Sequence, residues 1–313
     1  MRINIQPYQR IDKAEWNAFV STSKNKHFFF FREFMDYHND KFIDSSLIIR
    51  NEKDKIIALF PANIRSNMIY SHQGLTFGGF ITDKKMHVQL MLDIFSEVIN
   101  FFRGFGIIKI IYKVIPYIYH AHPAQEDLYA LFIHHGKLIR RDVSSSICMS
   151  SKISYSKGRK WGVNAARKQG VYCGKFNNAS EAWPLIREIL LHQHNAQPVH
   201  TEQEIDLLQM EFPNNIQAYY AALNNQVIAV AVLFITDQVC HTQYLAVGEV
   251  GRRVSALDYL IDHIIQLYSS TCHYFDFGIS NENNGLYLNE GLISQKEGFG
   301  ARAVIHDFYE LSV

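Results

Sequence analysis

The two halves of this chain run through the same order of elements, and that repetition restricts the fold more than any other feature. In the first half, residues 45–64 read as a β-hairpin whose apolar arms flank a charged turn, Asn51 to Asp54. NMIYSHQGLTFGGFI (67–81) reads as a further strand ending in Gly78 and Gly79. Thr82 then stands where it would cap a helix over 84–103, with Val88, Leu92, Phe95 and Ile99 at helical spacing, and 107–115 is the next strand. In the second half, 217–235 is a hairpin turning at Asn224 and Asn225, 239–248 is a strand, Ser255 caps a helix over 256–268, and 272–278 is a strand. KIIAL (55–59) matches QVIAV (226–230), and YSHQGLTFGG (70–79) matches VCHTQYLAVG (239–248), which sets His72 and His241 at equivalent places. A helical stretch precedes each hairpin: HFFFFREFMDYH (27–38), and AWPLIREILLHQHNA (182–196) with Trp183, Ile186, Ile189 and Leu190 on one face. Two copies of one α/β unit follow, over 1–150 and 171–313. Between them 151–170, rich in Lys and Arg and free of acids, reads as a basic interdomain helix or linker.

Composition narrows the function. Lys plus Arg is 31 and Asp plus Glu is 30, a formal net charge of +1, without the surplus of cations that broad phosphate-backbone binding needs. The longest apolar runs, VIAVAVLFI (227–235) and IIKIIYKVI (107–115), are far short of the roughly 20 residues that span a bilayer. The polar start MRINIQPYQRIDK carries no signal-peptide core, and Cys148, Cys173, Cys240 and Cys272 form no CxxC pair. The expectation is a cytoplasmic protein with reduced thiols. The close pairs His120/His122, His134/His135 and His192/His194 lack metal-site spacing and a cysteine partner, so no metal is expected. No GxSxG elbow and no GxxxxGK[ST] loop occurs.

Hairpin, strand, glycine-bearing loop, capped helix and strand, in that order, resemble the acyl-CoA N-acyltransferase (GNAT) fold. A glycine loop feeding a helix N-terminus offers free amides and a dipole to a pyrophosphate. In the second half that loop is GEVGRRVS (248–255), which makes Gly248, Gly251, Arg252, Arg253 and Ser255 candidate donor-binding residues. The C-terminal stretch carries FDFG (275–278), Asn289 with Gly291, KEGFG (296–300) and DFYEL (307–311). It resembles the closing segment of the Fem-type (FemAB-like) acyltransferases, with TQYLA (242–246) and KGRKWGVNAARKQG (157–170) matching more loosely. That resemblance implies tandem GNAT-like units of α/β (α+β) class, each a mixed, mostly antiparallel sheet flanked by helices, with a cleft for the acceptor. It implies acyl transfer to an amine of a nucleotide-linked sugar or a cell-wall precursor, in cell-envelope polysaccharide synthesis. The donor is an acyl-CoA or, in the alternative, an aminoacyl-tRNA. A further alternative is a catalytically silent GNAT-like protein that binds glycans or proteins.

Lys296, in KEGFG, stands at the position of a lysine thought to act in Fem-type transferases; a cation there would stabilise charge developing on a carbonyl or phosphate. Asp276 alternates with Phe275 and Phe277, and either takes a proton from the attacking amine or bonds loop amides. His241 is a candidate base near neutral pH, with His72 as its counterpart on the acceptor side, and Tyr244 is a candidate donor to an oxyanion or a sugar hydroxyl. Asn281, Glu282 and Asn289 crowd one loop, a mixture suited to hydroxyl-rich ligands and equally to a polar turn. Arg167 belongs to the basic 157–170 segment, which reads as a phosphate clamp or as a solvated helix face.

Overall fold

The computed structural model describes residues 2–37 and 39–313, with the backbone alone at residues 193 and 194. The chain divides into two compact units, Met1–Asp142 with Ile305–Val313, and Val143–Val304. Each is a mixed α/β body in which mostly antiparallel sheet is flanked by helices.

The first unit contains β1 (Ile3–Pro7), α1 (Lys13–Thr22), α2 (Arg32–Asp36), β2 (Ile43–Asp44), β3 (Leu47–Asn51), β4 (Ile56–Phe60), β5 (Asn63–Arg65), β6 (Met68–Tyr70) and β7 (Ile81–Thr82). Then come α3 (Val88–Gly104), β8 (Lys109–Lys113), α4 (Glu126–Ile133) and the start of β9 (Lys137–Cys148). β1, β3, β4 and β7 form one antiparallel sheet, and β6 pairs in parallel with β8. The apolar face of α3, with Leu90, Ile94, Phe95 and Val98, closes over Leu47, Ile49, Phe60 and Ile110.

Three expectations change here. The aromatic stretch 27–38 is not one helix: Phe28–Phe30 make a 3₁₀ turn and Phe31, in extended conformation, separates it from α2. Thr82 is spent in β7, so the long helix begins at Val88 under a His87 cap whose ring accepts from the Leu90 amide. Residues 67–81 form only the short β6 before the chain leaves the sheet, where His72 takes a positive φ of 65°. The 71–78 loop folds onto the end of β8. The Lys113 amide donates to Ser71 Oγ at 2.7 Å, and the Gly78 amide to the Lys113 carbonyl at 3.1 Å. A β-carbon on Gly78 would lie 1.9 Å from the Ser71 carbonyl oxygen. The glycine is therefore required by backbone contact, and His72, in a loop, has no structural equivalence to His241, in a strand.

The second unit contains α5 (Lys157–Lys168), β10 (Tyr172–Lys175), α6 (Trp183–His194), α7 (Glu202–Glu211), β11 (Ile216–Leu223), β12 (Gln226–Ile235) and β13 (Val239–Val247). α8 (Glu249–Arg253), α9 (Ala256–Leu267), β14 (Tyr274–Ile279), β15 (Asn281–Glu282), β16 (Tyr287–Leu288), α10 (Glu290–Gly298) and β17 (Arg302–Ser312) follow. From Ile305 onward β17 belongs to the first unit, where Phe308 pairs with Lys113 of β8. The β11–β12 hairpin turns through Asn224 and Asn225, both at positive φ, a turn whose twist matches its strands. The sheet order is β10-β11-β12-β13-β14-β9, antiparallel except for β13 against β14. The basic segment forms α5, which packs on α9 inside this unit. A β-carbon on Gly162 would meet Asp258 Oδ2 at 2.5 Å, so the small residue permits the close crossing that the Arg159–Asp258 pair, 2.6 Å, then ties.

Candidate active site

β13 and β14 pair for three residues only, from Val239 opposite Tyr274 to His241 opposite Asp276. Beyond that point β13 continues to Val247 with a strand neighbour, β12, on one side alone. A bulge sits just past the parting: Thr242 faces Leu233 and Tyr244 faces Val232, which leaves Gln243 as the extra residue. A cavity of about 230 Å³ opens along the unpaired edge. Four consecutive β13 residues, Tyr244 to Val247, line it, as expected of a space beside a strand rather than over one face. Ile186, Ile189 and Leu190 of α6, Leu257 and Ile261 of α9, and Phe277 complete an apolar wall, with Arg252, Gln295 and Lys296 as its polar members.

At the apex of the parting, Phe275 and Phe277 enter the core with Leu260, Ile261 and Ile264 of α9, and Asp276 points to the opposite face. Its carboxylate is fully buried and accepts from Ser144 Oγ at 2.6 Å, Ser146 Oγ at 2.5 Å, the Gly278 amide at 3.2 Å and His241 Nδ1 at 2.7 Å. With a carboxylate oxygen as its partner, the imidazole donates from Nδ1 and leaves Nε2 as an acceptor. The His241 side chain is 16% exposed, and Nε2 has no partner within the described residues. Gly278 passes beneath the ring at a φ of 75°; a β-carbon there would stand 3.2 Å from His241 Cε1. An imidazole oriented by a buried carboxylate, with its second nitrogen open, has the geometry to take and return a proton.

Lys296 lies on α10 and is only 5% exposed. Its ammonium donates to the Gly278 carbonyl at 2.9 Å and the Ile279 carbonyl at 2.7 Å, so it holds the backbone on which His241 rests. Burial pushes its pKa down to about 8 against the opposing pull of Asp276. This is not the solvated lysine of an ordinary helix surface.

The other predicted residues scatter. Tyr244 lines the cavity with its ring, but its hydroxyl is engaged 2.7 Å from His200 Nδ1, and burial raises its pKa. In the 248–255 loop, Arg252 alone lines the cavity. The Gly248 amide donates to the Ile228 carbonyl at 3.0 Å, and a β-carbon on Gly251 would lie 2.3 Å from that same oxygen, so this loop rests on β12. Arg253 pairs with Glu249 at 3.2 Å in solvent, and Ser255 precedes α9 at a φ of 57° with no side-chain cap bond. Asn281 Oδ1 accepts from the Val143 amide at 2.7 Å, Asn289 caps α10 through the Leu292 amide at 3.0 Å, and Glu282 accepts from Asn289 at 3.1 Å; these bonds shape the loop. Arg167 lies over the Tyr259 ring, 5.8 Å from its centroid. Among the described residues no three His, Cys, Asp or Glu side chains group to hold a metal; the side chain of His194 lies outside them. Sequence reading missed Ser144, Ser146, His200 and the Gln243 bulge. The serine run 144–146 was visible, but nothing local announces that β9 lies beside β14.

Residues 164–284 match the family model of the acetyltransferase (GNAT) domain, a span that includes His241 and Asp276. No curated protein sequence is significantly similar to the chain. Among solved structures, FemX superimposes with a TM-score of 0.68 at 9% identity, covering 97% of this chain and 96% of that one. The C-terminal domain of an Agrobacterium fabrum protein described as a lysylphosphatidylglycerol synthetase follows, with a TM-score of 0.62 at 10% identity over 96% and 91%. A tandem GNAT protein from the clavulanic acid pathway has a TM-score of 0.54 at 7% identity over 99% and 98%. At such identities the likeness is one of fold.

Proposed function

The second unit carries a GNAT acetyltransferase domain within a Fem-type, tandem-GNAT fold, and from that premise we propose that the chain is an N-acyltransferase acting on an amine. The observation that carries this reading is the buried Asp276 holding His241 where β13 and β14 part. An acyl-CoA suits the residues present: an open strand edge and apolar walls for the extended arm, and Arg252 for its phosphates. When bound, it supplies an acyl carbonyl activated by a thiol leaving group. His241 Nε2 takes the proton of the amine as its nitrogen attacks that carbonyl carbon. The N–C bond forms, the C–S bond breaks, and the imidazolium returns the proton to the departing sulfur, giving an amide and a free thiol. The bulge at Gln243 lies just past the parting, and a main-chain amide released there would donate to the carbonyl oxygen as it gains charge. Lys296 keeps the 278–279 carbonyls in position and sets positive charge near the reacting centre. The acceptor class is the one the Fem-type resemblance implies, an amine on a nucleotide-linked sugar or a cell-wall precursor.

The test is release of free thiol from acetyl- and butyryl-CoA in the presence of UDP-amino sugars and cell-wall precursor peptides. Amine-dependent release is expected, and His241→Gln should lower it by roughly 10²–10⁴-fold. If no amine stimulates release, or His241→Gln turns over at the parent rate, the reading fails.

A further inference from the structure

We propose that the outward face of α5 is a docking surface for a membrane rich in anionic lipids. The helix lies flat on the second unit. Gly162, Val163 and Ala166 are buried where it packs on α9, and Arg159, on the same side, is held by Asp258 at 2.6 Å. Half a turn away the side chains meet solvent. At helical spacing these are Lys157, Trp161, Asn164 and Lys168, with Lys160 and Arg167 along one flank. Trp161 is 70% exposed, whereas the other two tryptophans, Trp16 and Trp183, are fully buried. An indole in a row of cations suits the boundary between water and lipid tails, where the ring leaves water and its N–H stays wet. The cations beside it then stand at the level of the lipid phosphates. Residues 151–170 contain no carboxylate to oppose that field, and Asp258, beneath the helix, is 8% exposed and already paired. Twelve residues, about 18 Å of helix, lie along such a surface. With one ring and several cations the attachment is led by charge, reversible and weakened by salt. A single strand of nucleic acid, the other polyanion that an indole among cations suits, is held in grooves lined by several stacking rings; this face is the ridge of one helix with one ring. The proposal uses no residue of the cavity and stands apart from acyl transfer.

The test is titration of the full chain with vesicles of phosphatidylserine and phosphatidylcholine, and of phosphatidylcholine alone, with sedimentation to read binding and tryptophan emission to read the face that binds. Because Trp16 and Trp183 are already buried, a blue shift reports on Trp161. Binding to the anionic vesicles with a blue shift, weakened by salt and lost on neutral vesicles, is expected. Trp161→Ser should abolish the shift, and Lys157→Gln combined with Lys168→Gln should weaken binding roughly tenfold or more. All three side chains are exposed, so these variants should keep the parent's melting temperature. No binding to anionic vesicles at low salt, equal binding to neutral ones, binding without a shift, or charge variants that bind like the parent overturn the proposal. A single-stranded oligonucleotide that binds tighter than the vesicles and moves the same emission overturns it in favour of nucleic acid.

Discussion

Asp276 has no solvent contact, so any influence on a substrate passes through the groups it holds, His241 first among them. In the proposed mechanism it is a positioning residue, and its substitution should change kcat rather than donor affinity. Asp276→Asn removes the ionised acceptor and frees the ring to adopt the other tautomer; kcat is expected to fall about 100-fold with donor KM unchanged in a steady-state thiol assay. Lys296 makes a different prediction. Its folded-state pKa of about 8 lies below its ordinary 10.5, so the ammonium gives way to the amine as pH rises through about 8. The rate should decline above that pH, and Lys296→Arg, whose guanidinium stays charged, should abolish the decline. The stability sign follows from the same shift. The unfolded chain binds more protons between about 8 and 10.5, so stability gains from this group as pH rises across that window, and the penalty is fully present below it. Lys296→Met should flatten that part of a denaturant-midpoint profile. Both residues were legible as motif positions, yet their burial and partners were not, because KEGFG and HYFDFG say nothing of the strand or loop that faces them.

At the level of elements, the parting of β13 from β14 opens the cavity, and the α8 turn holds Arg252 in its lining. Gly248 and Gly251 looked alike in the sequence, both spaced to admit a phosphate. A β-carbon at Gly248 would make an ordinary 3.6 Å contact with Leu185, whereas at Gly251 it would press on the Ile228 carbonyl oxygen at 2.3 Å. Gly248→Ala is therefore expected to alter stability by no more than about 0.5 kcal/mol. Gly251→Ala should cost about 1–3 kcal/mol in denaturant unfolding and weaken acyl-CoA binding, because α8 must shift and carry Arg252 with it. Periodicity found α3, α6, α9 and the two hairpins, since each is recorded in neighbouring residues. It misplaced the start of α3 because Thr82 can serve either as a cap or as a β7 residue, and only the β4 partner strand decides between them.

At the scale of the molecule, the chain is two compact units of related element order, with its C-terminal strand returning to the first. A donor that binds the second unit stabilises that unit by mass action. At about a hundred times its Kd the gain is about 2.7 kcal/mol, expected to raise the melting transition of that unit by roughly 5–10 °C in calorimetry. A shift absent at saturation would contradict donor binding there. Residue order alone determined the repeated α/β plan and the hairpin turning at Asn224 and Asn225, because turn chemistry and side-chain period act over a few neighbours. Tertiary structure alone decided that His241 lies opposite Asp276, that Ser144 and Ser146 enclose the carboxylate, and that His72 sits in a loop and not on a strand. Strand register and burial arise between segments distant in the chain, where the apolar pattern permits many pairings and only the closed core selects one.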